Sequence, residues 1–285
     1  MPKFKKDWSE VVKQIKEDGK GGNYKDVRLY KPDTDDDGTA KVILRFLPAP
    51  DVDVPFVGKY MHYFRGVGGW FVDNCPTSLN ESCPVCEDNS KRWDEEEEYI
   101  RKRGGLRKLS YYSNILVVED KKTPSNEGKV WLFKFGKRIY DKILDAIKEG
   151  SIPFDEDAGV NFIFKIKNIK VGSETMPSYD TSHFSETESS LLDICKTKKA
   201  VDKVLTGLYP LAEFKDPTQF KSYDELKVRF NKVVGEKSTA QTVTATQVQS
   251  EVKSDEVPSK DEAFNEDGVF VEKDDKTFFD NMKIE

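Results

Sequence analysis

Apolar positions along the chain fall into short runs with turn residues between them. "KVILRFLP" (Lys41 to Pro48), "GWFV" (Gly69 to Val72), "LSYYSNILVVED" (Leu109 to Asp120), "KVWLFKFG" (Lys129 to Gly136) and "VNFIFKIKNIKV" (Val160 to Val171) are rich in β-branched and aromatic residues and predict strands. The stretch "KKTPSNEG" between the third and fourth, with Pro124 and Gly128, predicts a hairpin. Three segments carry helical spacing instead. Trp8, Val11, Val12 and Ile15 share a face and stop at Gly19 to Gly22; Ile139, Ile143, Ala146 and Ile147 form a second face. Leu226, Phe230 and Val233 form the third, behind a capping box from Ser222 to Glu225. Short strands with peripheral helices, and no regular strand-helix alternation, predict a mixed α/β (α+β) architecture.

Pattern is lost after Gly235. "KSTAQTVTATQVQS" is polar and aperiodic and reads as a flexible linker at 236–250. Residues 251–285 hold twelve acidic and five basic side chains, a balance of −7, so the chain's net −6 leaves +1 for everything before them. Phe264, Phe270, Phe278 and Phe279 lie among those charges, which makes this segment a docking tail more than a solubilising one. The 285 residues, 36% of them hydrophobic, are ample for a core, and no run approaches the roughly 18 apolar residues of a membrane span. The start, "MPKFKKDWSE", has basic residues without an apolar stretch behind them, so a reducing compartment is expected, with no membrane partner.

That compartment bears on the chain's four cysteines, three of which lie near one histidine. His62, Cys75, Cys83 and Cys86 are separated by twelve, seven and two residues, and a C-P-V-C knuckle next to a third thiol and an imidazole suits one tetrahedral Zn2+. Four protein ligands leave no open position, so the expected zinc is structural and the chain is not expected to be an enzyme. A zinc deaminase would need H-x-E, whereas His62 is followed by Tyr63 and Phe64. Phosphate-binding loops, nucleophile elbows and H-E-x-x-H are absent from the sequence. Thiols without metal remain the alternative for the cluster. The run Asp94 to Glu98 reads as a solvated helix face, and Cys195 and His183 as isolated residues.

Basic residues interleaved with aromatics carry the functional signal. "EYIRKRGGLRKLSYY" (Glu98 to Tyr112) includes Lys102, Arg103, Arg107 and Lys108 between Tyr99 and the pair Tyr111 and Tyr112; "YMHYFRGVGGWF" and "WLFKFGKRIY", with Lys134, repeat the mixture. Positive charge along a backbone with flat faces for unstacked bases is the chemistry of single-strand binding, and no basic recognition helix for a duplex groove appears. Two other classes remain: a zinc-ribbon interaction adaptor without DNA affinity, and a zinc-dependent nucleic-acid enzyme.

From Val42 to Val234 the chain resembles the single-stranded DNA-binding proteins of T4-type bacteriophages. The segments that carry the resemblance are "RFLP", the His62, Cys75, Cys83 and Cys86 set, "SYYSNILVV", "NEGKV", "FGKRIYDKI", "GVNFIFKIK", "YDTSHF" and "FKSYDEL". The resemblance implies an OB-fold β-barrel core at 23–235, with a small zinc-binding subdomain at about 55–107 and a positive cleft for single-stranded DNA. It carries over Arg45, Trp70, Tyr99, Arg107, Lys108, Tyr111, Tyr112, Phe133 and Tyr179 as DNA-facing. It further implies cooperative homotypic assembly through the arm at 1–22, where Lys3, Lys5 and Lys6 are the basic residues. The implied setting is replication, recombination and repair in the cytoplasm of an infected bacterium. The implied partners of the acidic tail are a polymerase, a helicase loader and a recombination mediator.

Overall fold

The computed structural model describes residues 26–171 and 174–235; the arm with Lys3, Lys5 and Lys6, the linker and the acidic tail lie outside the described residues. Eight strands are described: β1 (Ala40–Phe46), β2 (Val57–Gly66), β3 (Gly69–Asn74), β4 (Arg107–Glu119), β5 (Val130–Phe135), β6 (Val160–Val171), β7 (Glu174–Ser178) and β8 (His183–Glu188). The helices are α1 (Pro84–Arg103), α2 (Lys137–Lys148), α3 (Leu191–Cys195), α4 (Lys198–Thr206) and α5 (Tyr223–Val234). The architecture is mixed α/β with a mostly antiparallel sheet. No helix among the described residues is long and apolar enough to cross a membrane.

The chain divides into two compact units, one of residues 26–56 with Tyr112–Leu211, the other of Val57–Tyr111 with residues 212–235. In the first, β1 pairs antiparallel with β4 on one side (Leu44 opposite Val117) and with β6 on the other (Val42 opposite Phe164). β6 continues into antiparallel pairs with β7 and β8, and β5 pairs with β4, as the hairpin sequence predicts. Gly128 takes φ 71° at the end of that turn, a conformation open to glycine at little cost. Alternation along these strands sends aromatic rings to one core. Phe46 is fully buried, with Phe133, Phe135, Phe154, Phe162 and Phe184 at centroid distances of 5.4 to 6.1 Å. On α2, Ile139, Ile143 and Ala146 are buried but Ile147 is exposed, so the apolar face is one position narrower than its spacing suggests.

The second unit is built on the antiparallel β2–β3 hairpin, which aligns Phe64 with Phe71 and Arg65 with Trp70. Phe64 and Phe71 face inward and pack with Val85 of α1 and with Leu226, Phe230 and Val233 of α5. α5 starts at the predicted capping box, Ser222 Oγ accepting from Glu225 N while Glu225 Oε2 accepts from Ser222 N at 3.0 Å. It stops at Gly235, whose φ of 82° is the left-handed terminator. The acidic run belongs to α1, where Asp94 and Glu98 are exposed.

Candidate metal centre and nucleic-acid interface

Strand alternation sets the four-donor cluster. On β2, His62 and Phe64 point into the second unit while Tyr63 and Arg65 point out. Cys75 directly follows β3, its N–H donating to Tyr60 O at 2.9 Å. Cys83 is the N-cap of α1, Pro84 supplies the first helical residue, and Cys86 comes within the first turn. His62 Nε2 then lies 3.4 Å from the sulfurs of both Cys83 and Cys86, and Cys75 Sγ lies 3.6 Å from Cys86 Sγ. All four donor atoms fall within 4.8 Å of one another.

Bonds of 2.0–2.3 Å to a central Zn2+ would separate tetrahedral donors by about 3.5 to 3.8 Å, so the three shortest spacings fit the ion, and the wider ones would close in by up to about 1 Å as it binds. His62 Nδ1 donates to Gly105 O at 2.9 Å, which orients the ring and leaves the Nε2 lone pair for a metal. Protons are unevenly held in this cluster. Hydrogen bonds with Cys83 and Cys86 hold the Cys75 thiol far below its ordinary range, while bonds with Cys75 and Cys83 push Cys86 far above it. Burial opposes charge on His62, but hydrogen bonds with Cys75 and Cys83 outweigh it and push the imidazole up to about 9. A divalent cation takes the place of such shared protons.

Around this centre the second unit gathers cations and rings on two faces. The Arg107 guanidinium lies 4.4 Å from the Tyr60 ring centroid and donates to Thr77 Oγ1. Lys108, the next residue on β4, lies over Tyr63, 5.7 Å away, and Tyr63 stacks on Trp70. Tyr99 is exposed on α1, and Tyr111 is buried against the backbone of Gly58. The side chains of Lys102 and Arg103 are outside the described residues. Tyr60, Tyr63 and Arg65 sit in a basic-aromatic segment that the sequence marks, but their assignment to faces needs β2 as a strand, which the sequence reading does not supply.

In the first unit, Lys134 is exposed with its ammonium 5.8 Å from the ring of Tyr112, and burial pushes that phenol up to about 12. Tyr179 stacks on Phe164, centroids 5.5 Å apart and planes at 13°, and stays half-buried. Two more of the residues expected to face DNA are buried in the first unit. Phe133 is buried, packed between Phe46, Phe135 and Phe164. Arg45 is fully buried: Nε donates to Asn161 Oδ1 at 3.0 Å, and Nη2 donates to the carbonyl and hydroxyl of Ser189. Burial is also the main reason its pKa falls to about 10. It is a core cation that ties loops together.

Comparison with known proteins gives these features a context. Residues 38–234 match the family described as gp32 DNA binding protein like. The chain is 33% identical over 271 residues to the single-stranded DNA-binding protein of Enterobacteria phage T2, spanning 90% of this chain and 85% of that protein. The corresponding protein of Enterobacteria phage T4 is 32% identical over 270 residues with the same coverage. A shorter match, 36% identical over 76 residues, is to the single-stranded DNA-binding protein of Escherichia phage SV14.

Proposed function

The chain belongs to the family of gp32-like DNA-binding proteins, and on that premise we propose that it coats single-stranded DNA without turnover, largely independent of sequence. The observation that carries this reading is the span of the family match. Residues 38–234 take in both the four-donor centre and β4, on which Arg107, Lys108, Tyr111 and Tyr112 nearly follow one another. The exposed rings of Trp70 and Tyr99, the half-buried Tyr179, and Tyr112, whose buried ring has Lys134 beside it, are together with Lys108 and Lys134 the contacts we assign to the strand. Lys102 and Arg103 continue the same basic stretch. Base stacking at about 1–3 kcal/mol each and counterion release give binding that tolerates sequence and weakens with salt.

In this reading the core is an OB-fold and the centre at His62, Cys75, Cys83 and Cys86 holds one structural Zn2+, which contributes folding free energy and sets the position of β2 against α1. The acidic tail at 251–285 competes with DNA for the basic surface and recruits a polymerase, a helicase loader and a recombination mediator. Lys3, Lys5 and Lys6 serve homotypic assembly along the strand. The setting is phage replication, recombination and repair in the host cytoplasm.

The test is a titration with single-stranded and duplex oligonucleotides across salt, using the intact chain and one ending at Val234. Tight, salt-sensitive binding to single strands alone is expected, tighter still after truncation. An adaptor would ignore DNA in both forms, and that outcome would overturn the reading.

A further inference from the structure

A hairpin that packs one face on a core ordinarily turns a polar face to water. The β2–β3 hairpin does not. Its inner rings, Phe64 and Phe71, stack at 5.0 Å in the core. Its outer face carries a second stacked pair, Tyr63 and Trp70, with centroids 5.0 Å apart and planes at 29°, and these two rings are 46% and 51% exposed. Charge bounds the pair at both ends. The Arg65 guanidinium lies 5.9 Å from the Trp70 ring, and the Lys108 ammonium 5.7 Å from the Tyr63 ring.

We infer that Tyr63 and Trp70 form a two-ring stacking ledge for an unpaired base, with Arg65 and Lys108 receiving the phosphates on either side of it. The inference rests on the single-strand reading above and adds Tyr63 and Arg65, which that reading does not use. It also places the contact on the face of the second unit opposite His62.

Three physical points favour a nucleic-acid strand here. A stacked pair presents a broad π surface already ordered by the hairpin, and every base has a matching face. Exposed cation-ring contacts are weak, so Lys108 or Arg65 can swing from ring to phosphate as a base arrives. A duplex hides its base faces, so the ledge discriminates between strands without any hydrogen-bond readout. Val67 and Val72 are exposed on the same hairpin, and a partner protein would use such a patch too. Cations at both ends of the ledge favour the polyanion.

The test pairs Tyr63→Ala and Tyr63→Phe with photocross-linking of the unmutated full chain to an oligonucleotide carrying 5-iodouracil. Tyr63→Ala is expected to weaken binding of an oligothymidylate by about five- to a hundredfold, the range of one lost base stack. Tyr63→Phe keeps the ring and stays within about twofold. Cross-links map to Tyr63 or Trp70. If the unmutated chain binds single strands but cross-links to neither ring, and Tyr63→Ala binds equally well, the ledge is refuted while the proposed function stands. If the unmutated chain does not bind at all, both fall. Tyr63→Ala that keeps DNA affinity but loses self-association in sedimentation assigns the patch to a protein and refutes the ledge.

Discussion

The Arg107 guanidinium donates to the Thr77 hydroxyl at 2.9 Å, and that hydroxyl lies 3.1 Å from Cys75 Sγ. Arg107 is therefore tied, through Thr77, to the four-donor cluster, while Lys108 reaches Tyr63 on the other face. Groups that orient metal ligands typically account for a 10- to 100-fold difference in affinity, so Arg107→Ala should weaken Zn2+ retention by about that factor. Competition with a chromophoric chelator measures it. Lys108→Ala should leave retention unchanged and weaken DNA binding, so equal effects of the two substitutions on Zn2+ would contradict the division of faces.

On the proposed reading of the four-donor centre as a Zn2+ site, removing the metal should cost stability directly. Cys75 and Cys83 are buried in the same cluster as Phe64, Phe71 and Phe230, so loss of the ion leaves unbridged thiols inside a core. Each 1 kcal/mol lost lowers Tm by about 2–4 °C in a domain of this size. Calorimetry with excess chelator should show a drop of many degrees that added Zn2+ restores, and Cys86→Ser should reproduce it. A melting curve indifferent to chelation would mean that the centre holds no structural ion.

Phe133→Ala should act on folding before it acts on DNA. The ring is enclosed by Phe46, Phe135 and Phe164, and its removal leaves a cavity worth about 3–5 kcal/mol. Denaturant unfolding should show that loss, while the fraction still folded binds oligonucleotides with unchanged affinity. A selective loss of affinity at constant stability would return Phe133 to the interface.

The features readable from sequence are those whose partners are close along the chain. The capping box from Ser222 to Glu225, the turn at Gly128 and the Cys83 and Cys86 knuckle all lie within a few residues, so local chemistry decides them. β2 escapes because Tyr63 stands at an outward position where alternation would call for a polar residue. β8 escapes for the opposite reason, "HFSETE" having too few apolar positions to show a period. Arg107 and Lys108 read alike in sequence and differ only through the two-residue period of β4. Arg45 reads as a surface cation because its partners, Ser189 and Asp155, are 144 and 110 residues away.

Those distant partners define the last prediction. The buried guanidinium satisfies Asn161 Oδ1 and Ser189 O with a planar fork that an ammonium cannot reproduce, so Arg45→Lys should destabilise the chain by about 2–3 kcal/mol. Gly159→Ala tests the same site from the other side, because a methyl group there would overlap Arg45 Nη1 and Asp155 O. The two substitutions disturb one network, and the double variant should lose less than the sum of the singles in denaturant unfolding. Binding separates this role from a DNA contact. One lost phosphate contact on a single strand lowers the dependence of log K on log salt by about 0.7. Folded Arg45→Lys should keep the slope of the unmutated chain, and a slope shallower by that amount would place Arg45 on the strand after all.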